Sequence, residues 1–402
     1  MFRTLPSEAV VARPPVSPFE LLALDDLLTQ DQRDIRDVVR DYVTAEIKPH
    51  IADWFEAGTL PARELAKSMG QLGLLGMHLE GYGCAGTDAI SYGLACLELE
   101  AGDSGIRSLV SVQGSLAMFA IHRFGSDEQK NEWLPRMATG EALGCFGLTE
   151  ADFGSNPSGM RTFATKDGSD WILNGSKMWI TNGTIADVAI VWANTDEGIR
   201  GFVVPTNTPG FAANEVHKKM SLRASLTAEL VFTNVRIPAS AQLPLAKGLG
   251  GPLTCLSEAR FGIVFGTLGA ARDSLESAID YALNRVQFDR PIAGFQLTQK
   301  KFAEMAVALD TGFLLAMHIG KLKDAGVVRP EHISVGKFNN AKMALDVARE
   351  CRSILGGSGI TLEYPIIRHM NNLESVITYE GTHEIHTLVI GEALTGLGAY
   401  RG

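Results

Sequence analysis

Trp171-Ile172-Leu173-Asn174-Gly175, Ala189-Ile190-Val191-Trp192 and Gly201-Phe202-Val203-Val204 are short apolar runs set among Asn-Gly, Asp-Gly and Pro-Gly pairs. Aromatic and β-branched side chains suit a pleated backbone, and Asn and Gly accept the positive φ of tight turns. The stretch therefore reads as a small sheet, with turns at Asn174-Gly175 and Asn182-Gly183. Residues 145–245 are expected to form a β domain.

On both sides the period changes. From residue 21 to residue 144, apolar positions recur near the helical spacing between charges, as in Gln30-Asp31-Gln32-Arg33-Asp34-Ile35-Arg36-Asp37-Val38-Val39. Gly81-Tyr82-Gly83 and Asp103-Ser104-Gly105 interrupt this region, and Asp103 or Ser104 is placed to cap a new helix. After Gly248-Leu249-Gly250-Gly251-Pro252, helical spacing returns over residues 271–288, 300–325 and 335–355. The expected organisation is an irregular arm over 1–20, a helical domain over 21–144, the β domain, and a helical bundle over 246–402. That is a mainly α chain with a β domain, not the alternating β-α-β order of a Rossmann fold.

Composition narrows the function. Among 402 residues, 36 Lys and Arg face 46 Asp and Glu, a formal net charge of -10, so no basic excess exists to neutralise a nucleic acid. A single anionic ligand stays open, because a few local cations suffice to hold it. The five cysteines are odd in number and lack a C-x-x-C pair, which fits a reduced compartment and buried apolar roles. The amino terminus has no apolar signal region, and no run of 18 apolar residues occurs, so a cytoplasmic protein without membrane insertion is expected.

Two motifs mislead. Gly81-Tyr82-Gly83-Cys84-Ala85-Gly86 spells a dinucleotide fingerprint but sits among helical patterns, so a plain loop is expected. His383-Glu384-Ile385-His386 lacks the i, i+4 histidine pair of a zinc helix, so no metal is expected. Neither a P-loop nor a G-x-S-x-G elbow occurs.

Four segments carry a resemblance: Phe146-Gly147-Leu148-Thr149-Glu150 leading to Gly154-Ser155; Trp179-Ile180-Thr181; Arg285-Val286-Gln287-Phe288; and Thr378-Tyr379-Glu380-Gly381-Thr382-His383. In content, order and spacing they resemble the acyl-CoA dehydrogenase family from about residue 21 to the end. The resemblance implies an N-terminal α domain, a middle β domain and a C-terminal four-helix bundle. It also implies a homotetramer, FAD at a subunit boundary, an acyl-CoA substrate, and electron-transfer flavoprotein as acceptor of the electrons.

Oxidising a thioester between Cα and Cβ needs a base for the α-proton and an acceptor for the β-hydride. An isolated Glu is usually a solvated charge. The family motif puts Glu380 in the position of the base, with Gly381 allowing close backbone approach and the glutamate N–H polarising the thioester carbonyl. The resemblance sets Phe146, Leu148, Thr149, Gly154, Ser155, Trp179, Ile180 and Thr181 against the flavin ring, Ser155 also touching the pantetheine. It sets Arg285, Phe288, Gln296, Ser353, Gly356, Gly357, Thr382 and Glu384 on the rest of the dinucleotide. Ser353 matches neither the Gln of many members nor the acidic residue of the glutaryl branch, and Asp152-Phe153 also departs from the usual pattern.

The acyl end resembles the glutaryl branch. Arg107 and Ser108 match the residues that hold a γ-carboxylate there, with Glu100 nearby and Tyr379 before the base, although Ile106 replaces a common Tyr. A buried carboxylate needs such a cation. On its own, an Arg seven positions after a Glu is more often a surface pair. Leu253 and Arg260 match the stretch that lies along coenzyme A. The expected reaction is oxidative decarboxylation of glutaryl-CoA to crotonyl-CoA. The alternatives are a short-chain dehydrogenase or oxidase of the same fold, and an inactive acyl-CoA or flavin-binding protein.

Overall fold

In the computed structural model, which describes residues 14–399, strand β4 (Val188–Ala193) is buried along its whole length. Its alternate residues serve two cores. Val188, Ile190 and Trp192 join the large helical core, while Ala189, Val191 and Ala193 join a second core inside the β domain. β4 is central in a sheet ordered β1-β4-β5, parallel to β1 (Gly144–Gly147) and antiparallel to β5 (Arg200–Pro205). A second antiparallel sheet closes the other face in the order β2-β3-β7-β6, from β2 (Phe163–Asp167), β3 (Asp170–Thr181), β6 (Phe211–Glu215) and β7 (Thr227–Pro238). The first sheet thus seats the β domain on the helices.

Before it come α1 (Gln30–Tyr42), α2 (Ile51–Ala57), α3 (Ala62–Gln71), α4 (Ala89–Gly102), α5 (Ser104–Ser111), α6 (Phe119–Phe124) and α7 (Asp127–Ala138). Thr29 and Gln32 cap α1 reciprocally. After it come α8 (Gly250–Asn284), α9 (Gln296–Asp324), α10 (Pro330–Ile354), α11 (Ile366–Val376) and α12 (His383–Thr395). The whole of α4 and the whole of α5 lie inside: α4, α5 and α8 form the centre of the large core. Residues 1–13 of the expected arm lie outside the described residues.

Three sequence readings are corrected. Asn174-Gly175 is no hairpin turn: both residues lie within β3, where the pairing shifts register between Leu173 and Gly175 and Gly175 takes φ +133°, a bulge. Asn182, at φ +65°, does turn the chain after β3. The first helix of the bundle begins before residue 271, where its periodic pattern was expected to start, because Gly250-Gly251-Pro252 opens α8 instead of preceding it; proline is tolerated in a first turn, where its missing N–H has no partner to lose. The same helix stops at Asn284, not Phe288, since residues 286–291 form the small hairpin β8 (Val286–Gln287) and β9 (Arg290–Pro291).

α9 is long and apolar enough, by length and composition, to cross a bilayer, unlike the sequence expectation, yet half of its most apolar window is buried in the protein. Packed between α8 and α10, it behaves as a bundle helix, for which the same composition is required.

Candidate active site

The site is built around a corner. α4 ends at Gly102 and α5 starts at Ser104, with Asp103 between them accepting from Gly105 N through Oδ1 at 2.6 Å. Its Oδ2 accepts from Arg368 Nη1 at 2.6 Å and Asn372 Nδ2 at 2.8 Å, both on α11. The corner is thereby tied to the helix that leads into the Glu380 segment.

Arg107, on α5, is 0% exposed, which settles the choice between a surface pair and a buried group. Its Nε donates to Glu100 Oε2 at 2.8 Å, Ser104 Oγ donates to the other Glu100 oxygen at 2.9 Å, and its Nη2 donates to the Tyr379 hydroxyl. Burial opposes the guanidinium charge, but Tyr379, Glu100 and Glu380 outweigh it and keep Arg107 firmly protonated. Nη1 of Arg107 and the hydroxyls of Ser108 and Ser111 are buried without a hydrogen-bond partner. Unpaired buried polar groups are costly, by about 1–3 kcal/mol each, and the cost is removed when a polar ligand meets them.

Glu380 sits in the turn between α11 and α12 at φ +53°, followed by Gly381 at φ +93°. Only a well-held segment keeps a non-glycine residue there. Gly381 is required by space as well as by φ, because a Cβ would stand 3.0 Å from His386 Nε2 and 3.4 Å from Arg260 Nη2. The carbonyls of this turn are all held: Glu380 O accepts from Arg260 Nε at 2.6 Å, Gly381 O from Lys337 Nζ at 2.7 Å, and Tyr379 O from Lys337 Nζ as well. Thr382 caps α12 through its hydroxyl, which accepts from Ile385 N at 3.2 Å. The Glu380 carboxylate has one oxygen, Oε2, sealed from solvent with no partner. Burial raises its pKa above the usual carboxylate range, against the pull of Arg107, Lys337 and Arg260.

The structure brings Glu100, Arg107, Ser108, Tyr379, Glu380 and Gly381 together as the sequence suggested. Arg260, expected to reach coenzyme A phosphates, donates from Nε to the Glu380 carbonyl, seven residues along α8 from the exposed Leu253. Lys337, on α10 and 1% exposed, was not singled out from the sequence. A signal was present, since it lies on the stripe Ile333, Lys337, Ala341, Ala344 that α10 buries, where a lysine is out of place without a partner.

The strand β1 carries Phe146 and runs on to Leu148 and Thr149. It is pinned to the segment after α5 by Gln113, whose Oε1 accepts from Gly144 N at 2.7 Å. Met178 N donates to Thr149 O at 2.8 Å, so the segment holding Trp179, Ile180 and Thr181 is joined to it. Lys177 Nζ, fully buried, bonds Glu150 Oε1 at 2.8 Å and Leu148 O at 3.1 Å, and Glu150 also accepts from Arg161 N and Thr162 N. This fixes the loop that bears exposed Gly154 and Ser155. Between Lys177 and Ile180 the sheet pairing slips, and Trp179, at φ +64°, is 58% exposed. A strained backbone that presents a bare indole is poor packing but a fit platform for a flat ring.

The remaining candidates divide between two ends of the bundle. Thr382 and Glu384 stand beside Glu380, near Ser334 and Phe338 of α10, which contact His386 and His383. Ser353, on the other hand, lies 16 residues beyond Lys337 on α10, about 24 Å at the rise of an α-helix. Lys301 of α9 reaches Ser353, which places Gln296, the α8–α9 hairpin with Arg285 and Phe288, and Gly356-Gly357 at that far end. Arg285, Phe288, Gln296, Ser353, Gly356 and Gly357 are all exposed there, Phe288 at 89%.

Comparison with known proteins accounts for this geometry. Three family descriptions match in order: acyl-CoA dehydrogenase, N-terminal domain, over residues 29–141; middle domain, over 145–235; and C-terminal domain, over 246–395. The chain belongs to the acyl-CoA dehydrogenase family. An acyl-CoA dehydrogenase of Bacillus subtilis is 37% identical over 92% of this chain and 99% of its own length. Butyryl-CoA dehydrogenase from Megasphaera elsdenii, in its solved structure, is 35% identical over 91% of this chain and 98% of its own, with TM-score 0.88. A glutaryl-CoA dehydrogenase from Mycobacterium smegmatis, solved in complex with FADH2, is 68% identical over 96% of this chain and 100% of its own, with TM-score 0.95. Membership of this family favours an enzyme over the inactive binding-protein alternative.

Proposed function

We propose that this protein is an FAD-dependent dehydrogenase that oxidatively decarboxylates glutaryl-CoA to crotonyl-CoA. The observation that carries the substrate is the unpaired Nη1 of fully buried Arg107, with the free Ser108 hydroxyl one residue away. Around Glu380, the guanidinium groups of Arg107 and Arg260 and the amine of Lys337 stand with the carboxylates Glu100 and Glu380. The open Nη1 of Arg107 suits an incoming anion, which a butyryl chain does not bring and a glutaryl chain does. The similarity to the Mycobacterium smegmatis enzyme points the same way.

The groups that fit FAD are the Thr149 and Thr181 hydroxyls, the exposed Trp179 face and the open backbone at Gly154-Ser155. Bound FAD would supply the hydride acceptor for Cβ. The chain's own residues do the rest. Arg107 and Ser108 anchor the γ-carboxylate and so fix the acyl chain lengthwise. Glu380 removes the α-proton, its raised pKa bringing it closer to that task, and the N–H of Glu380 stabilises the oxygen of the developing enolate. After oxidation the bond to the γ-carboxylate breaks, carbon dioxide departs, and its electron pair enters the dienolate. Glu380 returns the proton it took, completing crotonyl-CoA.

Arg285, Phe288, Gln296, Ser353, Gly356 and Gly357 belong in this reading to the dinucleotide of a second copy, because about 24 Å of helix separates them from Lys337 beside the base. A homotetramer, transfer of electrons to an electron-transfer flavoprotein, and a cytoplasmic location complete the proposal. The test is anaerobic: flavin-loaded protein is mixed with glutaryl-CoA and butyryl-CoA in parallel, the flavin absorbance is followed, and the product is weighed. Preferential bleaching by glutaryl-CoA with crotonyl-CoA formed supports the reading. Preference for butyryl-CoA keeps the family and removes the assigned role of Arg107.

A further inference from the structure

The turn that carries Glu380 has two successive residues at positive φ, and its Tyr379 and Gly381 carbonyls converge on one ammonium group. A left-handed turn points its carbonyls away from any helical partner, and buried carbonyls of that kind need donors. A single backbone donor cannot reach both sides of the turn, whereas an ammonium offers three N–H groups from one point. Lys337 is 1% exposed and, among the described residues, makes no ion pair at 4 Å or less and donates only to the turn. Burying an ammonium without a carboxylate partner is costly.

We propose that Lys337 is a positioning residue for the reaction: its Nζ, clamped between the carbonyls of Tyr379 and Gly381, holds Glu380 in the left-handed conformation that aims both carboxylate and N–H at the substrate, and sets the charge against which the base titrates. It acts through Glu380 and touches no substrate. Arg260 fixes the intervening carbonyl from α8, so the turn is gripped from two helices. The groups facing the Glu380 carboxylate are Arg107 of α5, Glu100 of α4, Arg260 of α8 and Lys337 of α10, with Tyr379 and the buried His386 of its own segment beside it. Burial lowers the pKa of Arg260 and, further, that of Lys337, to about 7.

The sign follows. A protonated Lys337 favours the Glu380 carboxylate, the form that accepts the α-proton; with that cation removed the carboxyl holds its proton to higher pH, and the acid limb of the rate moves up. The inference rests on Glu380 as the base, and the two are separated by running Glu380→Gln alongside: bleaching retained in that variant removes the base assignment, whatever Lys337 does. The test compares flavin-loaded parent, Lys337→Met and Lys337→Gln by the pH profile of anaerobic bleaching and by hydrogen–deuterium exchange of residues 377–383. The expected result in both variants is bleaching slowed by about 100-fold, within the range for lost positioning, an acid limb at higher pH, and faster exchange in 377–383 with α8 and α9 unchanged. Lys337→Gln keeps an amide NH2 donor without the charge, so it carries the test should Lys337→Met not fold. A rate within twofold of the parent, a loss equal at every pH, or unchanged exchange of 377–383 overturns the assignment.

Discussion

Glu100 and Arg107 lie on two different helices, either side of the Asp103 corner, and meet at 2.8 Å with both side chains fully buried. The pair is useful because it is incomplete. Glu100 occupies Nε and Tyr379 occupies Nη2, which fixes the guanidinium plane and leaves Nη1 as the donor with no partner. A fully paired Arg107 would have nothing to offer a substrate, and an unpaired one would cost several kcal/mol to bury.

Replacing Arg107 therefore needs its counter-charge removed as well. Arg107→Met alone strands the Glu100 carboxylate, with a stability loss of about 3–5 kcal/mol. The double variant Arg107→Met with Glu100→Gln is expected to fold. Its kcat/KM for glutaryl-CoA should fall by about 30- to 1,000-fold, the cost of about 2–4 kcal/mol for a lost buried charge contact. Butyryl-CoA should be turned over at a rate close to the parent's. Equal losses on both thioesters would show that Arg107 supports the fold and does not read the acyl end.

Glu380→Gln keeps size and removes the base. Flavin bleaching by acyl-CoA should slow by about 100- to 10,000-fold, the usual contribution of a positioned base, while the acyl-CoA itself still binds. In the parent, the raised carboxyl pKa predicts that the bleaching rate falls on acidification at a pH above the ordinary carboxylate range. Stopped-flow absorbance across a pH series checks both statements.

The site was legible where a motif concentrates it and invisible where it is spread over the fold. Glu380-Gly381 and Arg107-Ser108 are adjacent in sequence and so could be read directly. Lys337 is joined to them only by α10 lying against the turn, 43 residues earlier, a relation that no spacing encodes. The β domain was read correctly from its apolar runs, yet Asn174-Gly175 misled, because a dipeptide that accepts positive φ serves a bulge as readily as a turn. The length of α8 was missed for a related reason: glycine and proline interrupt helices in general, but Pro252 is in the first turn and Gly262, Gly266 and Gly269 are buried where α8 crosses α4.

Acid should loosen this protein through Glu98. Burial opposes ionisation of Glu98, but Arg272 grips both of its oxygens at 2.7 and 2.6 Å and Arg40 donates to both as well, and together they lower its pKa from 4.5 to about 2. A depressed carboxyl pKa contributes stability that is complete above the unfolded value, about 4.3, and is lost as pH falls through the folded one. Thermal melts should therefore decline between pH 4.5 and pH 2. Glu98→Gln should flatten that decline while lowering the melting temperature at neutral pH, where the buried Arg272 is left without its partner. A variant with the parent's full acid decline would put the linkage elsewhere.

Gly269→Ala tests the contact on which the centre of the fold depends. A Cβ on Gly269 would strike the carbonyl of Leu97 on α4, backbone against backbone, with Ala101 N of the same helix 2.9 Å away. Alanine normally stabilises a helix interior over glycine by about 0.5–1 kcal/mol. Here the gain is outweighed, because neither helix has a side chain to move aside and close-packed backbones can relieve the overlap only by separating. We expect a loss of at least about 2–3 kcal/mol, within the range for overpacked cores, read as a lower midpoint in urea with little change in slope. Separation of α4 from α8 also displaces Glu100, which stands one turn along α4 against Gly266 of α8. The variant should therefore lose turnover of the anionic thioester before it loses its helical signal. A stabilised Gly269→Ala protein would mean that α4 and α8 pack further apart than a glycine contact requires.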